Sequence, residues 1–306
     1  MILRTENLSH RYSSTWAIRD INIEIERTGI IGLLGSNGAG KSTTMNIICG
    51  ALNQTEGNVF INDIDTRKQP EEAKKEIGFL PQFPPLYSDL TIDEYLTYCA
   101  ELRSIQKTQI RSAVNEVKER CGLAHISSRL IRNLSGGYKQ RVGIAQAIIH
   151  KPRLVVMDEP TNGLDPNQLI EARKLIREIG QDHTVLLSSH ILSEINLLCQ
   201  EIIMIESGRV VFSDSMDAFN SYAQTKSLLM RLETPPHAAD IMQVSGVTQT
   251  EFLTSNQLRI FFEGSYDEIS DKLIAASISG SWKMKEISPD KGLLDDVFKQ
   301  LTNRSA

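Results

Sequence analysis

Eight residues, Gly35-Ser36-Asn37-Gly38-Ala39-Gly40-Lys41-Ser42, fit G-x-x-x-x-G-K-[ST] and leave little choice for the fold around them. Ile30-Ile31-Gly32-Leu33-Leu34 precedes the segment as a run apolar on both faces, the mark of a buried parallel strand, and Lys41 to Ile48 follows it as a helix. In this turn glycines let the backbone wrap, so that successive N–H groups and the helix start face a polyanion. Lys41 adds charge-assisted hydrogen bonds of ~1.5–3 kcal/mol each, and the Ser42 hydroxyl is placed to hold Mg²⁺. An ordinary Gly-rich strand-to-helix turn seldom has this spacing between these flanks. Taken alone, the loop does not separate a GTPase, a small-molecule kinase and a transport ATPase.

The rest of the chain extends the α/β pattern. Ile21, Ile23 and Ile25 alternate with Asn22, Glu24 and Glu26, which predicts a half-exposed antiparallel sheet at the start. Thr91-x-x-Glu94 is a capping box that opens a helix on Ile92, Tyr95, Leu96, Cys99 and Leu102; Ile110, Val114, Val117 and Cys121 repeat the helical spacing. The strand and helix series then resumes with Leu154 to Met157, a helix from about Asn167 to Ile179, Thr184 to Leu187 and Ile202 to Ile205, so the two helices read as a subdomain set into an α/β core.

After Tyr222 to Lys226 the character changes. Leu228, Met230 and Leu232 alternate as a strand, Pro235-Pro236 breaks the chain, and Val247 to Leu253 with Leu258 to Phe262 reads as a hairpin. A helix at Tyr266 to Ala276, a strand at Trp282 to Ile287 and a last helix on Leu293, Leu294, Val297, Phe298 and Leu301 complete a small α+β domain of ferredoxin-like kind. The division is therefore 1–226 and 227–306, in keeping with the roughly two domains expected of 306 residues.

Composition narrows the partners. No run approaches the ~18 apolar residues of a membrane span. A formal charge of −5, with 8 basic and 11 acidic side chains beyond residue 226, argues against a nucleic-acid partner. Met1 to Glu6 lacks a basic region followed by an apolar stretch, so the expectation is a chain that stays inside the cell. Cys49, Cys99, Cys121 and Cys199 show no zinc spacing and read as reduced, mostly buried thiols.

A second constellation narrows the chemistry. Leu134-Ser135-Gly136-Gly137-Tyr138 places a Ser N-cap before two glycines, a second helix start with bare N–H groups for a phosphate. One nucleotide seldom needs two such cradles from one subunit. Leu154-Val155-Val156-Met157 then ends in Asp158-Glu159, where Asp158 is suited to hold Mg²⁺ and Glu159 to take a proton from attacking water.

With these residues in place, the sequence over about residues 2 to 226 resembles the ATP-binding-cassette (ABC) family. Phe79-Leu80-Pro81-Gln82 matches its glutamine loop, Asn162-Gly163-Leu164-Asp165 its aspartate loop and Ser188-Ser189-His190 its switch histidine. The resemblance implies the P-loop NTPase cassette fold, with an α/β core, an antiparallel β subdomain and a helical subdomain. It also implies ATP and Mg²⁺ as ligands, bound through Gly35 to Ser42 with Thr43, and Gln82 beside Ser42 and Asp158 at the metal. His190 would contact the γ-phosphate, and Asp165 would lie with Ser135, Gly136 and Gly137 at the nucleotide of a head-to-tail dimer, formed with a second copy or a closely related cassette. Tyr12 matches the aromatic that stacks on adenine, a contact of ~1–3 kcal/mol, with Trp16 a near competitor. The chain departs from the pattern at Tyr138, where the family usually has Gln. Gln140 is no substitute, because two helical positions rotate a side chain by ~200°.

Within the family the segments Gly137 to Gly143 and Asp158 to Asn167, with the added tail, look most like the ATP-binding subunits of ABC-2 type exporters, including gliding-motility and drug-resistance members. Such subunits sit on the cytoplasmic face of the bacterial membrane and dock on a separate transmembrane permease beside the glutamine loop. Phe83-Pro84-Pro85-Leu86-Tyr87 is placed for that contact and equally for a subdomain hinge. The alternative is a soluble cassette ATPase acting on DNA or ribosomes. Only 93 positions separate Lys41 from Leu134, too few for the long coiled coil of DNA-repair cassettes, and a single cassette is not the fused pair usual on ribosomes.

Overall fold

The computed structural model describes residues 1–223 and 227–290. β1 (Leu3–Tyr12) and β2 (Thr15–Ile25) form an antiparallel hairpin. The chain then passes through β3 (Gly29–Leu34) and α1 (Lys41–Ile48) and returns as β4 (Glu56–Ile61) and β5 (Ile64–Asp65), which complete a sheet of order β2-β1-β4-β5. Ile21, Ile23 and Ile25 are buried while Asn22 and Glu24 face solvent, the outcome that their alternation predicts.

A second sheet has β3 inside it. It is built from β6 (Ile77–Leu80), which follows α2 (Pro70–Lys75), and, after α3 (Ile92–Leu102), α4 (Lys107–Arg120) and α5 (Gly136–Ile148), from β7 (Leu154–Met157). α6 (Pro166–Asp182), β8 (Thr184–Ser189), α7 (Leu192–Leu198), β9 (Glu201–Glu206) and β10 (Arg209–Ser215) follow. The order is β10-β9-β3-β8-β7-β6, parallel except for β10. Every residue of β7 and β8 is buried, which is why their apolar runs show no alternation. Parallel strands end together. The sheet therefore brings Gly35, Gln82, Asp158, His190 and Glu206 to one edge, the carboxyl edge where ligands of open α/β sheets bind.

α3 and α4 are the helical excursion that the sequence predicts. Thr91 caps α3 by accepting from Glu94 N (3.2 Å), and the Glu94 carboxylate accepts from Thr91 N (2.8 Å). Ile92, Tyr95 and Leu96 are buried, but Leu102, assigned to the same face, is 65% exposed. It is the last residue of α3, beyond the turn where Ala100 makes the inward contact. Ile110, Val114, Val117 and Cys121 are all buried.

The chain divides into two units, Met1–Met216 and Asp217–Ala306. The second holds most of α8 (Met216–Ala223), then β11 (Ser227–Leu232), α9 (Ala238–Met242), β12 (Val247–Phe252), β13 (Gln257–Phe262), α10 (Tyr266–Ser279) and β14 (Met284–Pro289). From β11 onward the connectivity is β-α-β-β-α-β, and the sheet order β12-β13-β11-β14 is antiparallel throughout. Its core includes Leu228, Met230, Leu258, Ile260, Ile269 and Leu273. The helix predicted on Leu293 to Leu301 lies outside the described residues.

Candidate active site

Two glycines shape the phosphate loop. A Cβ on Gly35 would lie 2.2 Å from the Ile205 carbonyl oxygen, so β9 passes too close for any side chain. Gly40 has φ 110°, and a Cβ there would meet Ile18 Cγ2 at 2.5 Å. Gly208, in the turn between β9 and β10, braces the loop by donating from its N–H to Ala39 O at 3.0 Å. No side chain caps α1 at Gly40, so its first N–H groups remain available to a ligand.

Lys41 is 5% exposed, and its Nζ donates to Gly35 O (2.8 Å) and Ser36 O (2.9 Å). Burial lowers its pKa, against the attraction of Glu159, Asp158 and Glu206, which raises it. It is a desolvated cation at the mouth of an anion cradle. Ser36 Oγ donates to the Glu206 carboxylate, 2.8 Å from each oxygen, so the end of β9 holds the loop from the other side.

The carboxylates follow β7. Asp158 is buried and accepts from Ser188 Oγ at 2.6 Å; the same Oγ accepts from Glu159 N at 2.8 Å, so one hydroxyl at the end of β8 sets both residues. Glu159 adopts φ 46°. Its Oε2 accepts from Gln82 Nε2 (3.1 Å) and Asn162 Nδ2 (3.0 Å), and its Oε1 lies 3.0 Å from His190 Nδ1. The structure thus brings Gln82, Glu159 and His190 into direct contact. They line a cleft of about 540 Å³ together with Asn37, Gly38, Gly40, Lys41, Ser42, Thr43, Ala17 and Asn162. Asp158 stands behind it. The Ser42 hydroxyl, the Asp158 carboxylate and the Gln82 amide oxygen are hard donors suited to Mg²⁺, and a buried lysine beside uncapped N–H groups suits a polyphosphate.

Other candidates stand outside this cleft. Ser135 caps α5 by backbone conformation, with no hydrogen bond from its side chain to the first turn. Ser135 and Gly136 are exposed, and Gly137 packs so closely that a Cβ would lie 2.7 Å from the Gln168 side chain. Asp165 spends its carboxylate on the N–H groups of Asn167 (3.0 Å) and Gln168 (2.9 Å) as the N-cap of α6. Tyr12 is half-exposed and sits edge-on to His10 at 4.7 Å, while the guanidinium groups of Arg11 and Arg19 each lie 5.7 Å from the Trp16 ring. Ala17, the next residue along β2, is the one that reaches the cleft. Tyr138 Oη is 3.4 Å from His125 Nε2, and Gln140 Nε2 donates to Pro160 O at 2.8 Å, in the loop after Glu159. Ser188, Asn162 and Glu206 were legible in the sequence only as neighbours of motif residues or, for Glu206, as a strand end.

A parallel sheet that gathers a phosphate loop, two carboxylates, a glutamine and a histidine at one edge defines a P-loop nucleoside triphosphatase fold. Comparison narrows the class. The ABC transporter family model matches residues 18–162. The bacitracin transport ATP-binding protein BcrA of Bacillus licheniformis is 38% identical over 69% of this chain and 68% of its own. The linearmycin resistance ATP-binding protein LnrL of Bacillus subtilis is 28% identical over 99% of each chain, so the similarity runs through both units. Among solved structures, cbiO1 of Clostridium perfringens, part of the ABC transporter complex cbiONQ, has a TM-score of 0.66 and 29% identity, covering 73% of this chain and 91% of that one. The chain belongs to the ABC transporter family, as an ATP-binding, ATP-hydrolysing subunit. A role on DNA or ribosomes finds no support among these relatives. Among the described residues no helix is long and apolar enough to cross a membrane.

Proposed function

We propose that this subunit pairs head to tail with a second cassette, either another copy or a close relative, and that the pair drives ABC-2 type export through a separate permease from the cytoplasmic face of the membrane. The observation that carries the reading is the separation of the two anion cradles: the α1 start lines the cleft with Lys41, whereas the Ser135-Gly136-Gly137 start of α5 stands outside it with its serine side chain uncommitted to the cap. Facing copies give each ATP both cradles. The phosphate loop and Lys41 bind the phosphates of one ATP, Tyr12 stacks on its adenine, and the partner's signature helix covers it, with Asp165 close to the same interface.

Ser42, Asp158 and Gln82 would hold Mg²⁺, which when bound neutralises charge on the phosphate oxygens. Glu159, fixed by Gln82, Asn162 and the Ser188 hydroxyl, takes the proton of the attacking water, and His190 contacts the γ-phosphate. Phe83 (83% exposed) and Tyr87 (54%) form an apolar surface next to Gln82, where the permease docks. Residues 1–226 are the cassette, and 227–306 are a ferredoxin-like accessory domain. The transport and resistance roles in the relatives' names support the direction of export.

Glu159→Gln tests the site. The variant keeps Mg²⁺-ATP, loses ~10²–10⁴ in turnover, equivalent to a barrier increase of ~3–5 kcal/mol, and accumulates an ATP-dependent dimer on a sizing column. Wild-type turnover in the variant would remove Glu159 from this role.

A further inference from the structure

We propose that Glu194 is a positioning residue for hydrolysis, a buried carboxylate that clamps the loop after Glu159 to the strand end before His190. The inference rests on the reading of Glu159 and His190 as the reacting groups' neighbours. Those two side chains meet at 3.0 Å although they belong to separate loops, one leaving β7 and one leaving β8. The pairing of β7 with β8 and the Ser188 hydroxyl fix the strand ends, and a further tie is needed to hold the loops beyond them in register.

Glu194 touches both. Thr161, two residues after Glu159, donates from Oγ1 to Glu194 Oε2 at 2.7 Å; Ser189, one residue before His190, donates from Oγ to the same oxygen at 3.3 Å. Ser189 Oγ also accepts from Ile191 N at 3.0 Å, closing the backbone turn that presents His190. Glu194, Thr161 and Ser189 are all buried. Glu194 lies on α7, which is anchored by the buried Leu192, Ile195 and Leu198.

Packing alone does not set this spacing. A cavity of about 230 Å³ opens between the loops, and Glu159, Thr161, Ser189, His190 and Glu194 are among its walls. Across that space Glu194 adds a second tie, to Thr161 and Ser189, beside the one that the Ser188 hydroxyl makes to Glu159 N at the strand ends. A carboxylate is the right group, since it only accepts and so takes two hydroxyls on one oxygen and a guanidinium on the other, whereas an amide would turn an N–H toward a donor. The guanidinium is that of Arg173, which reaches Oε1 at 3.4 Å. The Thr161 bond is the short one at 2.7 Å, the Ser189 and Arg173 contacts are longer at 3.3 and 3.4 Å, and Arg173 Nε is buried without a partner.

The test uses the full-length chain and separates turnover from binding. Thr161→Val keeps the shape and removes the hydroxyl, Thr161→Ser keeps the hydroxyl, and Glu194→Gln removes the charge. Thr161→Val and Glu194→Gln are expected to lower kcat by about tenfold or more while ATP affinity, measured by equilibrium titration, stays within about twofold. Thr161→Ser should restore kcat to within about threefold of wild type, and the Val/Gln double variant should be no slower than the slower single variant, because both remove one interaction. Wild-type kcat in Thr161→Val, a loss confined to ATP affinity, or failure of Thr161→Ser to restore turnover overturns the proposal. If Glu194→Gln does not fold, the Thr161 pair decides alone. Glu159→Gln is measured alongside: if it keeps wild-type turnover, the reading of the site and the clamp both fall, whereas its inactivity beside a normal Thr161→Val rejects the clamp only.

Discussion

Lys41 shows how much one residue declares in advance and how much it does not. Its place in the Gly35 to Ser42 spacing points to phosphate because that pattern is written in contiguous residues, and the structure sets Lys41 in the cleft beside the α1 start. The pattern is likewise contiguous for Asp158 and Glu159 at the end of an apolar strand. Ser188, which sets both carboxylates, and Glu206, which holds Ser36, act across 29 and 170 positions, so their roles exist only once β7 lies beside β8 and β9 beside β3. In the structure Lys41 Nζ donates to two loop carbonyls, and each bond that the ammonium would make to an ATP phosphate is worth ~1.5–3 kcal/mol. Lys41→Ala is therefore expected to weaken ATP binding by at least about tenfold per bond lost, read in a filter assay. Unchanged affinity would take Lys41 out of the site.

Elements were legible where burial is uniform and less so where a local signal competes. β7 has the bounds of its apolar run, Leu154 to Met157. α6 continues past the predicted Ile179 to Asp182, and Gly180 within it gives close passage to Ile30: a Cβ there would lie 2.5 Å from Ile30 Cγ1. α9 follows Pro235-Pro236, where the sequence shows only a break. α5 carries a pH dependence at its far end. Just past it, His150 donates from Nε2 to Ile77 O at 3.0 Å at the start of β6, while its Nδ1 is buried without a partner. Burial, reinforced by the Arg103 charge, pushes its pKa from 6.5 down to about 4. The folded chain thus binds fewer protons than the unfolded one between these values, so stability is full above about 6.5 and falls as pH drops toward 4, by on the order of 3 kcal/mol. His150→Gln keeps a donor for Ile77 and removes the titration. Urea midpoints at pH 7 and pH 4.5 should converge in the variant relative to wild type; parallel losses in both would assign the acid sensitivity elsewhere.

At the scale of the whole molecule, the alternating strands and helices with one helical interruption were sufficient for the α/β class, since only a parallel sheet explains so many short apolar runs separated by helices. The tail carries the last prediction. The hydrophobic core around the phosphate loop draws on buried residues from Leu3 to Ile205, and that of the second unit on residues from Leu228 to Trp282, so a cut after Gln224 divides neither cluster. The cleft is likewise lined entirely by residues between Ala17 and His190. A chain ending at Gln224 should accordingly fold and bind ATP with the affinity of the full protein. The second unit exposes Ile278 (76%), Phe252 and Leu253, apolar area available to a partner, and its resemblance to LnrL extends over the full length. We therefore expect the truncation to weaken pairing, read as a higher protein concentration needed for the ATP-dependent dimer in the Glu159→Gln background by sedimentation. Undiminished dimerisation would deny the tail that role. A truncated chain that folds yet loses ATP would mean that residues beyond 224 touch the nucleotide or its loop, and the division into a catalytic cassette and an accessory domain would have to be given up.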